Sequence, residues 1–130
     1  MKTAVITGST RGIGRGLAEN FLARGCRVVI SGRQPAAVAA AVAELSGRHG
    51  ADRVGGRACE ITEGAQLQGL WDEAASRFGR VDIWINNAGV SAPRKALADT
   101  DEASIHQVVA TNLAGLLLAN RVALRGMRAQ

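Results

Sequence analysis

The chain has 130 residues, of which 47% are hydrophobic, and a formal net charge of +5. This length and composition predict one globular domain, residues 1–130, with a single core. The 16 Lys and Arg residues are scattered and aromatic residues make up only 3%, which argues against nucleic-acid binding. With no apolar run of about 18 residues and no charged-then-apolar leader, neither a membrane span nor a signal peptide is expected. The default location is the cytoplasm, although a plastid protein without its transit segment would look the same.

Short apolar runs alternate with helix-like periods along the chain. Strands are predicted at residues 3–7, 27–31, 53–58 and 81–85. Helices are predicted between them at about 12–24, 35–46 and 64–78. Gly47 and Gly50 are expected to end the second helix, and Thr62 is expected to cap the third. Strands joined by helical crossovers imply an α/β fold with a parallel sheet.

The first predicted strand leads directly into a glycine-bearing turn, Thr7-Gly8-Ser9-Thr10-Arg11-Gly12-Ile13-Gly14. Gly8 allows a sharp turn, Gly12 lets a ligand approach the backbone, and Gly14 lets the next helix pack closely. A pyrophosphate would meet the unpaired N–H groups and the positive dipole end of that helix. The spacing differs from the common G-x-G-x-x-G fingerprint, so this motif alone also fits a plain tight turn.

A second turn, Asn86-Asn87-Ala88-Gly89, follows the predicted strand at residues 81–85. Both turns thus stand at the carboxyl ends of predicted parallel strands, where open α/β sheets form their ligand clefts. Together, the Thr-Gly-x-x-x-Gly-x-Gly turn and the Asn-Asn-Ala-Gly motif resemble the short-chain dehydrogenase/reductase family. The segments 82–89 and 8–12 resemble in particular its chlorophyll b reductase branch.

The resemblance implies a Rossmann-type doubly wound parallel sheet with strand order 3-2-1-4, here truncated to about four strands with flanking helices. It also implies hydride transfer between a nicotinamide cofactor and a small-molecule carbonyl or alcohol substrate. Cofactor contacts are then expected from both turns and from the ends of the second and third strands. The expected cofactor-binding residues are Gly8, Ser9, Thr10, Arg11, Gly12, Ile13, Gly14, Arg33, Glu60, Ile61, Asn87, Ala88 and Gly89.

The end of the second predicted strand bears on the choice of cofactor. An acidic residue there accepts from the ribose 2′-hydroxyl of NAD, whereas an Arg accommodates the 2′-phosphate of NADP. This chain has Ser31-Gly32-Arg33 and no carboxylate at that place, and Arg11 can reach the same ribose. These residues predict NADP(H), unless both guanidinium groups simply face solvent. At the third strand, Glu60-Ile61 replaces the family's usual Asp-Val, so Glu60 either accepts from the adenine amino group or points into solvent.

A long apolar stripe follows the second turn. Its members at helical spacing are Ile105, Val108, Val109, Asn112, Leu113 and Leu116. Asn112 fits either a buried Asn bonded to backbone or, as the resemblance implies, a catalytic residue that holds a water in a proton path. The stripe through Leu124 is more apolar than one covered face requires. Since such helices pair across subunits in the complete family, a homo-oligomer is expected.

The general acid of the resembled family is a Tyr, which acts with a Lys and a Ser beyond the helix of Asn112, and this chain contains no Tyr. The chain is therefore expected to lack the carboxy-terminal half of the family fold and to be catalytically incomplete alone. Two alternatives remain, a dinucleotide-sensing module and an inert remnant.

The cysteine and histidine residues predict no metal site. Cys26 and Cys59 have no C-x-x-C spacing and are expected to be small buried thiols, while His49 and His106 are expected at the surface.

Overall fold

A four-stranded parallel sheet in the order β3-β2-β1-β4 forms the centre of the computed structural model, which describes residues 1–130. The strands are β1 Thr3–Ile6, β2 Arg27–Gly32, β3 Val54–Ala58 and β4 Ile83–Ile85. The helices are α1 Gly12–Ala23, α2 Pro35–His49, α3 Gly64–Phe78, α4 Glu102–Val109 and α5 Leu116–Ala129. A short 3-10 helix, Leu97–Asp99, precedes α4, and a π-helical turn, Ala110–Gly115, joins α4 to α5. The predicted α/β fold and strand order are confirmed.

Both faces of the sheet are covered because side chains alternate along each strand. Val5 and Val29 point to one face, where they pack with α3 and α5. Ile6 and Ile30 point to the other face, where they pack with α1 and α2. Strands buried on both faces read as continuous apolar runs, and this pattern made them visible in the sequence.

Several element boundaries differ from the prediction. Helix α2 continues through Gly47 and ends at Gly50, whose φ of 97° stops it. A single helical glycine costs only about 1 kcal/mol, and no neighbouring atom crowds Gly47. The N-cap residue of α3 is Glu63 rather than Thr62, and its side chain makes no capping hydrogen bond. β4 begins two residues later than predicted, because the side chain of Asp82 accepts from the backbone N–H of Thr3 at 2.8 Å.

The cysteine and histidine predictions hold in part. Cys59 is buried and His106 is exposed, as expected. Cys26 is only half-buried, and His49 is half-buried rather than fully exposed. Both of these residues lie next to the amino-terminal ends of β2 and β3, where the covering helices end.

The apolar stripe of α4 and α5 is largely exposed. The side chains of Leu113 and Leu117 are 55% and 58% exposed, and α4 contributes no buried residue. By length and composition alone, the continuous helix Glu102–Ala129 could cross a membrane, with a mean hydropathy of 1.3 in its most apolar window. One such helix is weak evidence, and α5 packs against α3 through buried Ala119 and Ala123.

Candidate functional site

A cavity of about 580 Å³ lies where the carboxyl ends of all four strands meet. Its walls come from the segments that follow β1, β2, β3 and β4. Most of the residues expected to bind the cofactor line it, namely Gly8, Thr10, Arg11, Gly12, Ile13, Arg33, Glu60, Ile61, Asn87, Ala88 and Gly89. The topology thus brings together residues from four separate parts of the sequence, at the edge where α/β sheets bind ligands.

The glycine turn after β1 directs the amino-terminal end of α1 toward the cavity. Gly8 and Gly12 take φ values of 61° and 58°, which favour glycine. No side chain caps α1 and its first turn has no acidic residue, so the N–H groups there remain available to an anion. Ile13, with 79% of its side chain exposed, adds an apolar surface to the cavity.

Ser9 and Gly14 lie behind the cavity wall and do not line it. The Ser9 hydroxyl donates to the carbonyl of Ile6 at 2.6 Å and accepts from the N–H of Ser31 at 3.0 Å. A Cβ on Gly14 would lie 2.6 Å from the carbonyl oxygen of Gly8. Both residues therefore shape the turn, and their contact with the cofactor stays a prediction.

The turn after β4 is fastened to the turn after β1. The side-chain amide of Asn87 donates to the carbonyls of Thr7 at 3.1 Å and Gly8 at 2.8 Å. The Thr7 hydroxyl oxygen accepts from the N–H groups of Asn87 and Ala88, each at 3.1 Å. A Cβ on Gly8 would come within 2.8 Å of the Cα of Ala88, so the two turns are in close contact.

Two unpaired guanidinium groups stand at the cavity beside the ends of β1 and β2. Arg11 and Arg33 are both exposed and line the same cavity, and their side chains make no hydrogen bond or ion pair within the chain. Neither charge is therefore committed to the fold, and both are available to an anionic group in the cavity.

The cavity wall after β3 consists of Cys59, Glu60 and Ile61. Burial, reinforced by the neighbouring Glu60 carboxylate, raises the pKa of the Cys59 thiol to about 11, so the thiol is uncharged at neutral pH. The Glu60 carboxylate accepts from the N–H of Thr62 at 3.3 Å. Its orientation is thus partly fixed by its own loop.

Asn112 lies in the π-helical turn and is exposed, so it is not the buried Asn that the sequence allowed. Its side-chain oxygen accepts from the N–H of Val90 at 2.9 Å, and its nitrogen donates to the carbonyl of Val90 at 2.6 Å. This pairing fastens the helix to the residue after Gly89. Asn112 itself does not line the cavity, whereas its neighbour Thr111 does.

Six residues of the cavity wall were not predicted from the sequence. The additional lining residues are Gly32, Gln34, Ala37, Cys59, Val90 and Thr111. Gly32, Gln34, Cys59 and Val90 directly adjoin predicted site residues, and extending each motif by one residue would have found them. Thr111 likewise adjoins the predicted site residue Asn112, whereas Ala37 carries no local signal, because only the packing of α2 places it there.

A family model described as short chain dehydrogenase matches residues 2–130. Chlorophyll(ide) b reductase NOL, chloroplastic, of Oryza sativa subsp. japonica is 41% identical over 127 residues, which are 97% of this chain and 37% of that protein. Short chain dehydrogenase/reductase dpmpG of Macrophomina phaseolina (strain MS6) is 36% identical over 129 residues, which are 99% of this chain and 73% of that protein.

Two solved structures are similar throughout the chain. A short chain dehydrogenase/reductase from Burkholderia phymatum in complex with NAD has 33% identity and a TM-score of 0.89, over 97% of this chain and 44% of that one. An alcohol dehydrogenase from Thermococcus sibiricus complexed with 5-hydroxy-NADP has 26% identity and a TM-score of 0.90, over 99% of this chain and 54% of that one. The chain therefore spans about a third to a half of NOL and of these two structures.

Proposed function

The chain belongs to the short-chain dehydrogenase family, which confirms the resemblance seen in its sequence, and we propose that it is the NADP(H)-binding portion of a reductase in that family. The observation that carries the cofactor choice is the pair of unpaired guanidinium groups, Arg11 and Arg33, in one cavity with the open end of α1. Membership of the family supports oxidoreductase chemistry, and these two residues support a preference for NADP(H).

The cofactor would lie along the carboxyl edge of the sheet. Its pyrophosphate would accept from the free N–H groups at the start of α1, as anions do at helix amino termini. Arg33 and Arg11 would hold the 2′-phosphate, and Glu60 with Ile61 would border the adenine. The nicotinamide half would then extend over Asn87, Ala88 and Gly89. Ser9 and Gly14 would support this site from behind.

Hydrogen bonds to charged groups contribute about 1.5–3 kcal/mol each, so one Arg–phosphate contact favours NADPH over NADH by at least about tenfold. Titration calorimetry of the chain with each dinucleotide measures this preference. We expect tighter binding of NADPH, and a loss of about tenfold in NADPH affinity for Arg33→Ala with little change for NADH. Arg24→Ala, at the far end of α1, is the matched control and should bind like the wild type. Equal or tighter binding of NADH by the wild type would overturn the proposal.

The reaction proposed for the complete protein is hydride transfer between the nicotinamide and a small-molecule carbonyl or alcohol. Bound nicotinamide would supply or accept the hydride, and a protein group must move the proton at the substrate oxygen. Asn112 is proposed to assist by holding a water in the proton path, from its place beside Val90. The chain has no Tyr to act as the general acid of its family, so we expect it to bind cofactor with little turnover of its own.

The alternatives to a reductase portion make different predictions. A dinucleotide-sensing module would bind NADPH tightly and never require a Tyr, whereas an inert remnant would neither bind nor melt cooperatively. Reading the nucleotide sequence past codon 130 distinguishes the sensing module from the reductase. A continuing frame with a Ser and then Tyr-x-x-x-Lys supports an enzyme.

The proposal also covers the oligomeric state and the cellular location of the complete protein. The exposed face with Leu113 and Leu117 suits pairing with a second copy, so a homo-oligomer without a membrane span is proposed for the complete protein. The cytoplasm is one proposed location. The plastid is the other, and the chloroplastic relatives favour it.

A further inference from the structure

A line of side-chain contacts runs behind the Asn86–Gly89 turn, from α3 across β4 to α5. The rings of Trp71 on α3 and Trp84 on β4 stack with centroids 6.1 Å apart and an angle of 28° between their planes. The indole N–H of Trp84 donates to the side-chain oxygen of Asn86 at 2.9 Å. The Asn86 amide nitrogen donates in turn to the side-chain oxygen of Asn120 on α5 at 2.6 Å. None of Trp84, Asn86 and Asn120 lines the cavity, so the proposed cofactor contacts give these residues no role.

These contacts fix the orientation of Asn86. Its side-chain oxygen is taken by Trp84 and its nitrogen by Asn120, so both ends of the amide are held. The next residue, Asn87, faces the other way and bonds to Thr7 and Gly8 in the glycine turn. Consecutive residues at the end of β4 are therefore anchored to opposite sides, one to α5 and the other to the nucleotide cavity.

A small displacement of the Asn86–Gly89 turn would change the shape of the cavity. The Cα of Ala88 lies within 2.8 Å of where a Cβ of Gly8 would stand, so there is no slack between the two turns. Ala88 and Gly89 also form part of the cavity wall. Since close-packed interiors transmit strain, releasing Asn86 would alter the groups that meet the dinucleotide.

We propose that Asn120 is a positioning residue for the nucleotide site, which acts through Asn86 to hold the Asn87–Gly89 wall in its binding geometry. Asn120 does not line the cavity and is half-buried on α5, so its effect is indirect. The proposal rests on the proposed dinucleotide-binding function. It goes beyond that function because it assigns cofactor affinity to a helix on the far side of β4.

The experiment compares Asn120→Ala, which removes the acceptor, with Asn120→Asp, which keeps a side-chain oxygen for Asn86. We expect Asn120→Ala to bind NADPH about three- to tenfold more weakly than the wild type, the range for one lost hydrogen bond. Asn120→Asp should restore the affinity to within about twofold of the wild type. Asn20→Ala is the control, because the amide of Asn20 donates only to the carbonyl of Gly16 in its own helix.

A spectroscopic readout separates positioning from general loosening. The chain has two Trp residues, so a proton–nitrogen NMR spectrum shows two indole N–H signals. We expect Asn120→Ala to move the Trp84 signal more than that of Trp71, because only Trp84 donates to Asn86, while Trp71 feels the change only through its stacked ring. If the Ala variant does not fold, Asn120→Leu removes the acceptor at similar volume and is read in the same way.

Each outcome bears on a specific statement. Wild-type affinity in Asn120→Ala, or equally weak binding by Asn120→Ala and Asn120→Asp, overturns the positioning role while the proposed function stands. Failure of the wild type to bind NADPH or NADH overturns the proposed function and the positioning role with it. Weakened binding in Asn120→Ala, rescued in Asn120→Asp, with the Trp84 signal moved, supports both.

Discussion

The regions on the two sides of β1 are held together by different kinds of contact. On the β2 side, residues 4–6 of β1 and 28–30 of β2 are fully buried. Helices α1 and α2 cover Ile6, Val28 and Ile30 on one face, and Val5 and Val29 pack on the other. On the β4 side, the strand is only half-buried, α4 buries no residue, and Leu117 on α5 is 58% exposed. The first region is therefore stabilised mainly by its apolar core.

Hydrogen bonds from polar side chains attach the β4 region to the rest of the fold. Asp82 binds the start of β1, Asn87 binds the glycine turn, and Asn120 binds Asn86. The side chain of Gln130 forms two hydrogen bonds with the backbone of Val81, at 3.1 Å and 2.6 Å. The glycine turn after β1 therefore rests on a complete apolar core, while the turn after β4 depends on a few directional hydrogen bonds.

The largest expected effect tests the core of the first region. Leu45 on α2 is fully buried, so Leu45→Ala should lower the free energy of unfolding by about 2–5 kcal/mol through lost burial and a cavity. Leu117→Ala, on the exposed face of α5, should change it by less than about 0.5 kcal/mol. Urea denaturation of both variants measures the difference. Equal losses would contradict the distinction drawn between the regions.

Two glycine substitutions, one on α5 and one on α2, compare the same two regions and are expected to have smaller effects on stability. A Cβ on Gly126 of α5 would collide with the ring of Trp71, so Gly126→Ala should destabilise the chain by about 1–3 kcal/mol despite its better helix propensity. Gly47 on α2 has open space, so Gly47→Ala should stabilise by about 0.5–1 kcal/mol. Thermal unfolding should move the melting temperature down for the first variant and up for the second. Stabilisation by Gly126→Ala would show that α5 is not packed on Trp71.

The smallest effect concerns pH and the polar attachment of β4. The hydrogen bond from the N–H of Thr3, followed by that from Arg80, lowers the pKa of Asp82 below its ordinary value. A carboxyl with a lower pKa in the folded state stabilises the fold above its unfolded pKa, and this contribution is lost as the pH falls through the folded value. Stability should therefore decline below about pH 4, and less steeply in Asp82→Asn. Denaturation midpoints measured between acid and neutral pH give this slope for both proteins. Identical slopes for the wild type and Asp82→Asn would show that Asp82 does not contribute to the pH dependence.

Local sequence patterns were enough to predict the order of the elements and most of the residues that line the cavity. Apolar runs between helical periods are local signals, and glycines with positive φ mark turns wherever the chain folds. They placed Gly8 and Gly12 in the turn after β1, and Arg33, singled out at the end of β2, lines the same cavity. Boundaries such as those of α2 were less well determined, because one helical glycine costs little.

Which residues line the cavity and which lie behind its wall depends on tertiary packing. Ser9 and Gly14 belong to the same motif as Gly8 but lie behind it, since adjacent residues in a turn point in different directions. Asn112 bonds to Val90, and Asn120 bonds to Asn86, 34 positions away. No local pattern encodes such pairings, because they depend on how α5 packs against the sheet. The sequence therefore specified the glycine turn after β1, and the packing of distant segments specified the cavity wall beside it.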